Sequence, residues 1–99
     1  MTTIEKILLA EDDVGMRELL AEFLQEAGYE VATAKDGREA LQAMEGEEFS
    51  LALLDLRLPD VSGLEILSAL KSRFPDTQVI LFTGYGDLES AIQALRLGA

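Results

Sequence analysis

The stretch Leu51-Ala52-Leu53-Leu54-Asp55-Leu56-Arg57-Leu58-Pro59-Asp60-Val61-Ser62-Gly63 decides how this chain is read. Its first four residues form a short, wholly apolar run, the pattern of a strand buried on both faces of a parallel sheet. Asp55 closes that run, where the core gives way to a loop. In an open parallel sheet the carboxyl ends of the strands are where ligands bind. Asp55 is therefore a candidate for chemistry rather than for solvation alone.

Outward from this stretch, short apolar runs alternate with longer amphipathic ones four times. Ile7-Leu8-Leu9-Ala10 reads as a first buried strand, followed by a helix from Val14 to Ala27 with Met16, Leu19, Leu20, Phe23 and Leu24 on one face. Gly28 supplies its left-handed stop. Tyr29 to Ala34 alternates as an edge strand does, and Asp36-Gly37-Arg38-Glu39 opens a second helix through Ala40, Leu41 and Met44. The third strand runs from Phe49 to Leu54. Ser62-Gly63-Leu64-Glu65 is a capping box for a third helix bearing Leu64, Leu67, Leu70 and Phe74, ended by Pro75-Asp76. Val79-Ile80-Leu81-Phe82 predicts a fourth buried strand, and Asp87 to Leu97 a fourth helix stopped by Gly98. Such alternation with short connections implies one α/β domain, a parallel sheet with right-handed crossovers and helices on both faces.

The bulk numbers narrow the function. Among 99 residues, 19 are Asp or Glu and 8 are Lys or Arg, a formal net charge of -11. A surface this acidic repels phosphate backbones and argues against direct nucleic-acid binding; it suits divalent cations or a basic partner. The chain has no cysteine and no histidine. Disulfides, thiolate or imidazole metal sites and histidine triads are thereby excluded from its own side chains. Charged residues break the N-terminal region, so it does not read as a signal peptide, and no apolar run approaches membrane-spanning length.

Parallel strands would bring Glu11, Asp12 and Asp13, then Asp55, then Thr83-Gly84 to one edge. Each alone has a plain reading: a lone Asp after a strand is commonly a helix cap, and an acidic run is commonly a solvated face. Convergence of three strand ends changes the weighting. Clustered carboxylates repel one another, and a hard cation such as Mg2+, which needs one or two carboxylates plus water and a phosphate, relieves that repulsion. Asp55 is then both a ligand and a possible nucleophile, and Thr83 offers a hydroxyl to a phosphoryl oxygen. Gly84-Tyr85-Gly86 is no dinucleotide fingerprint, since Glu occupies position 89.

With these residues in view, the chain resembles the receiver domain of bacterial two-component response regulators over its whole length. Leu8-Leu9-Ala10-Glu11-Asp12-Asp13 with Arg17 resembles the family's opening strand and acidic pair, which map onto Glu11 and Asp12, leaving Asp13 as a helix cap. Asp55 to Gly63 resembles the phosphoacceptor segment D-x-x-[LM]-P-x-x-[SDN]-G, and Phe82-Thr83-Gly84-Tyr85-Gly86-Asp87 the loop with the switch hydroxyl. The resemblance implies a flavodoxin-like doubly wound sheet of order 2-1-3-4, built here from four βα units, and a single receiver domain over residues 1–99. It implies a phosphoacceptor module, not a free-standing enzyme, in the cytoplasm. Its partner would be a sensor histidine kinase or a phosphotransfer protein. Asp55 would accept the phosphoryl group and Thr83 would switch. Mg2+ would be held by Glu11, Asp12, Asp55 and the backbone carbonyl of Arg57.

The family's fifth strand and helix, with a phosphate-binding lysine and an aromatic switch partner, have no counterpart in the sequence, whose lysines are Lys6, Lys35 and Lys71. Two expectations follow. The domain is C-terminally incomplete, and the outer edge of the fourth strand is free for homodimerisation or strand exchange. The missing lysine also keeps a second function open, a pseudo-receiver acting as an interaction module without phosphorylation. An aspartyl phosphatase is disfavoured by Arg at position 57, and an FMN site by acids after the first strand.

Overall fold

A computed structural model describes residues 5–82. Four strands, β1 (Lys6–Ala10), β2 (Glu30–Ala34), β3 (Leu51–Asp55) and β4 (Gln78–Phe82), alternate with three helices, α1 (Val14–Glu26), α2 (Gly37–Gly46) and α3 (Gly63–Arg73). The strands form one parallel sheet in the order β2-β1-β3-β4. This is the expected order, and the elements start and stop within about two residues of the positions read from the sequence, the margin to which helix ends are defined. The fourth helix, Gly98 and the outer-edge pairing expected of the fourth strand depend on residues outside those described.

Strand periodicity splits the core in two. Leu8, Ala10, Ala52 and Leu54 face α2 and α3, packing on Ala40, Met44, Ile66 and Leu70. Ile7, Leu9, Leu51 and Leu53 face the other way, onto Met16, Leu20 and Leu24 of α1. Successive strand side chains point to opposite faces, so one continuous apolar run serves both layers. β3 is buried at all five positions, Asp55 included. β4 is less enclosed than its apolar composition predicts: Val79, Ile80 and Leu81 are half-buried.

The helix ends are built as the sequence indicates. Asp13, Asp36 and Ser62 cap α1, α2 and α3 by accepting from Met16 N (2.9 Å), Glu39 N (2.8 Å) and Glu65 N (3.3 Å). Glu39 reaches back to Lys35 N at 2.9 Å, one residue before the cap. α1 ends in a Schellman motif. Gly28 takes φ +100°, its N–H donates to Gln25 O (3.0 Å), and Tyr29 N donates to Leu24 O (3.1 Å).

Two face assignments need correction. Leu19 is 63% exposed and Leu64 59% exposed, whereas Ile66, absent from the predicted stripe, is fully buried. At about 100° per residue, Leu19 lies a quarter-turn or more from Leu20, the middle of the Met16-Leu20-Leu24 stripe. Leu64 lies almost opposite Ile66 on α3. Both helices are apolar on more than one side, and packing alone chooses the buried stripe.

Candidate metal and phosphoacceptor site

The sheet register assembles the site. Ala10 pairs with Leu54, so the next residues, Glu11 and Asp55, leave the sheet side by side at its carboxyl rim. Asp55 in turn pairs with Phe82, and Leu56 N donates to Phe82 O at 2.9 Å. Glu11 N donates to Ala34 O at 3.0 Å, tying this rim to the end of β2. Arg17, on the first turns of α1, donates from Nη1 to the carbonyls of Glu11 (2.9 Å) and Asp12 (3.3 Å), which fixes the backbone bearing both acids.

Glu11, Asp12 and Asp55 each bring a carboxylate oxygen within 4.8 Å of the other two. Glu11 is 7% exposed and Asp55 9%, while Asp12 is open to solvent. Asp55 Oδ1 accepts from Arg57 N at 2.9 Å, which fixes the carboxylate relative to the loop that follows. Glu11 Oε2 is buried and has no hydrogen-bond partner among the described residues. Burial pushes the Glu11 carboxyl up to about 8, helped by proton sharing with Asp55 and by the charges of Asp55 and Asp12. A backbone hydrogen bond with Asp13 offsets part of this.

Three oxygen ligands at one rim, one of them orphaned in the interior, fit a hard divalent cation. An unpaired buried carboxylate oxygen is costly, and a cation removes that cost while leaving solvent-side positions for water or a phosphoryl oxygen. The donor set is all oxygen, as Mg2+ prefers.

Cations of the chain itself do not occupy this role among the described residues. Lys6 pairs with Glu47 (2.7 Å), Lys35 lies 3.9 Å from Glu39, and Lys71 donates to Thr77 O (3.0 Å). A groove of about 490 Å3 exists at the opposite, amino-terminal edge of the sheet, lined by Ile7, Tyr29, Phe49 and Thr77 among others. The Thr77 hydroxyl there is already engaged with Phe49 O at 2.6 Å. The clustered carboxylates gather at the acidic rim rather than in this groove.

The structure brings Glu11, Asp12 and Asp55 together, gives Asp13 the capping role, and puts Arg57 beside Asp55. Thr83 lies outside the described residues. Two residues of this region have no role assigned by the sequence alone: Arg17, which enters there only through the resemblance, and Asp60, whose carboxylate holds the start of α2. The signal for Arg17 was its place one turn into the helix after the acids. Asp60 had only the general affinity of carboxylates for free N–H groups.

Comparison with known proteins gives the same answer over nearly the whole chain. Residues 7–99 match the response regulator receiver domain family. The chain belongs to that family. It is 40% identical over 95 residues to the response regulator protein PilR of Pseudomonas aeruginosa, covering 96% of this chain and 21% of PilR. It is 38% identical over 95 residues to sporulation initiation phosphotransferase F of Bacillus subtilis, covering 96% of this chain and 77% of that protein. The chain spans about a fifth of the length of PilR and of two further regulators, FleR and AtoC. Among solved structures, TrrA of Thermotoga maritima in complex with Mg2+-BeF superposes with a TM-score of 0.77 at 39% identity, covering 88% of this chain and 76% of TrrA. TrrA in complex with the histidine kinase ThkA gives a TM-score of 0.75 at 40% identity, covering 83% and 71%. The receiver fold is a CheY-like, flavodoxin-like sheet, and receivers bind Mg2+ at an acidic pocket. No helix among the described residues is long and apolar enough to cross a membrane.

Proposed function

We propose that this receiver domain accepts a phosphoryl group on Asp55 from a sensor histidine kinase or phosphotransfer protein, with Mg2+ held by Glu11, Asp12, Asp55 and the Arg57 carbonyl. The observation that carries the reading is the meeting of Asp55 with Glu11 and Asp12 at the carboxyl rim, where the buried Glu11 Oε2 has no hydrogen-bond partner among the described residues. Further support comes from TrrA, a relative solved both with Mg2+-BeF and with a histidine kinase.

An oxygen of Asp55 attacks phosphorus in line. The O–P bond forms as the P–N bond of the donor phosphohistidine breaks, and the electron pair leaves with the imidazole. When bound, Mg2+ supplies positive charge to the equatorial oxygens of the transferring group. The Arg57 N–H holds Asp55 Oδ1, so the carboxylate meets the donor in one orientation. Glu11 must lose its proton for the ligand set to be complete. Thr83 follows Phe82, the last residue of β4, directly in sequence; its hydroxyl would bond the new phosphoryl group and move the neighbouring surface. A cytoplasmic location and the lack of direct nucleic-acid contact belong to the same proposal.

Incubation with a small acyl phosphate, read by intact mass, tests it. Wild-type protein gains one phosphoryl group in Mg2+, and neither chelated protein nor Asp55→Asn does. The alternative reading is an interaction module without phosphoryl transfer. Mg2+ binding without any labelling would support that alternative against the first reading.

A further inference from the structure

The loop between β3 and α3 is fastened to a helix it does not enter. Asp60 Oδ1 accepts from Gly37 N at 2.8 Å and from Val61 N at 2.8 Å, and Asp60 Oδ2 accepts from Arg38 N at 3.1 Å. Gly37 and Arg38 are the first two residues of α2, whose own cap, Asp36, is engaged with Glu39 N. α2 therefore carries two carboxylates at its start, one local and one from 23 residues further along the chain. The approach is close: a Cβ at Gly37 would lie 2.5 Å from Val61 Cβ.

The same loop is fixed at both ends by the acidic rim. It leaves through Leu56 N on Phe82 O and Arg57 N on Asp55 Oδ1. It returns at Gly63, where a Cβ would come within 2.8 Å of Asp55 O. Between these anchors, Asp60 is the described side chain that bonds the loop to another element. The hydrogen bond from Gly37 is the main reason that its carboxyl lies below the usual aspartate range.

The geometry points to Asp60 as a positioning residue for the cation site: it clamps the loop to α2 in the shape that presents the Arg57 carbonyl, so that the start of α2 and the metal site are coupled. This rests on the metal reading above. Coupling is reciprocal, so whatever the clamp contributes to Mg2+ affinity, Mg2+ contributes to the clamp.

Mg2+ affinity by calorimetry and amide exchange at Gly37 and Arg38 test it on the whole chain. Asp36→Ala is the control, because it removes a cap from the same helix without touching the loop. Asp60→Ala is expected to weaken Mg2+ binding about five- to tenfold, a typical coupling, while Asp36→Ala leaves it within about twofold. In wild-type protein Mg2+ slows exchange at both amides, and in Asp60→Ala it does not. If Asp60→Ala does not fold, Asp60→Asn, which keeps one accepting oxygen, is read the same way. Equal Mg2+ affinity in the Asp60 and Asp36 variants, with exchange indifferent to Mg2+, would reduce Asp60 to a helix cap and overturn this inference alone. Failure of the wild-type protein to bind Mg2+ would overturn the metal reading itself.

Discussion

Glu11 is a carboxyl group in a place where ionisation is costly, and its pH behaviour follows from that. Its folded value of about 8 exceeds the 4.5 of an ordinary glutamate, chiefly through burial. Between those values the folded chain holds a proton that the unfolded chain has released. Stability of the metal-free protein therefore falls as pH climbs from about 5 to about 8, and Glu11 adds no further loss above that. Saturating Mg2+ is expected to replace the proton and flatten this slope; thermal melts across the range, with and without the ion, measure both. Glu11→Gln should flatten it too, raise metal-free stability at pH 8, and weaken Mg2+ binding. A metal-free melting temperature that rises steadily from pH 5 to 8 would contradict the burial argument.

At the scale of elements, backbone approach and helix faces set the sensitive positions. Gly63→Ala drives a methyl to 2.8 Å from a strand carbonyl that has no freedom to yield, so it should cost about 2 kcal/mol and disturb Asp55 directly. Gly28→Ala meets no atom within 4 Å but must take φ +100°, for about 1 kcal/mol with no effect on the rim. Ile66→Ala should cost about 2–5 kcal/mol, and Leu64→Ala well under 1. Denaturant unfolding ranks all four. The Ile66 and Leu64 pair also marks what the sequence could convey. Strand runs, caps and the Gly28 stop were legible because each depends on a few neighbouring residues. Which apolar stripe of α3 faces the sheet depends on what it packs against. The acids of the rim were legible because the strand ends are, whereas the Asp60 clamp joins positions 23 residues apart that share no local pattern.

Over the whole molecule the formal charge of -11 works against compaction, and the acidic rim adds to it locally. Raising NaCl from about 20 to about 200 mM should therefore raise the melting temperature of the metal-free protein while lowering its Mg2+ affinity, since screening weakens repulsion and attraction alike. Acidic surface elsewhere, such as Glu45 in the last turn of α2 and Glu48 just after it, also attracts cations, but among the described residues it has no buried, unpartnered oxygen to hold one. The decisive measurement is a Mn2+ titration followed residue by residue in 1H–15N spectra. Substoichiometric Mn2+ should broaden the amides around Asp12, Asp55 and Arg57 first, and spare Phe49 and Thr77 at the far edge of the sheet. Broadening spread evenly over the exposed glutamates, with the rim no more affected than the rest, would mean that these three carboxylates do not form a cation site.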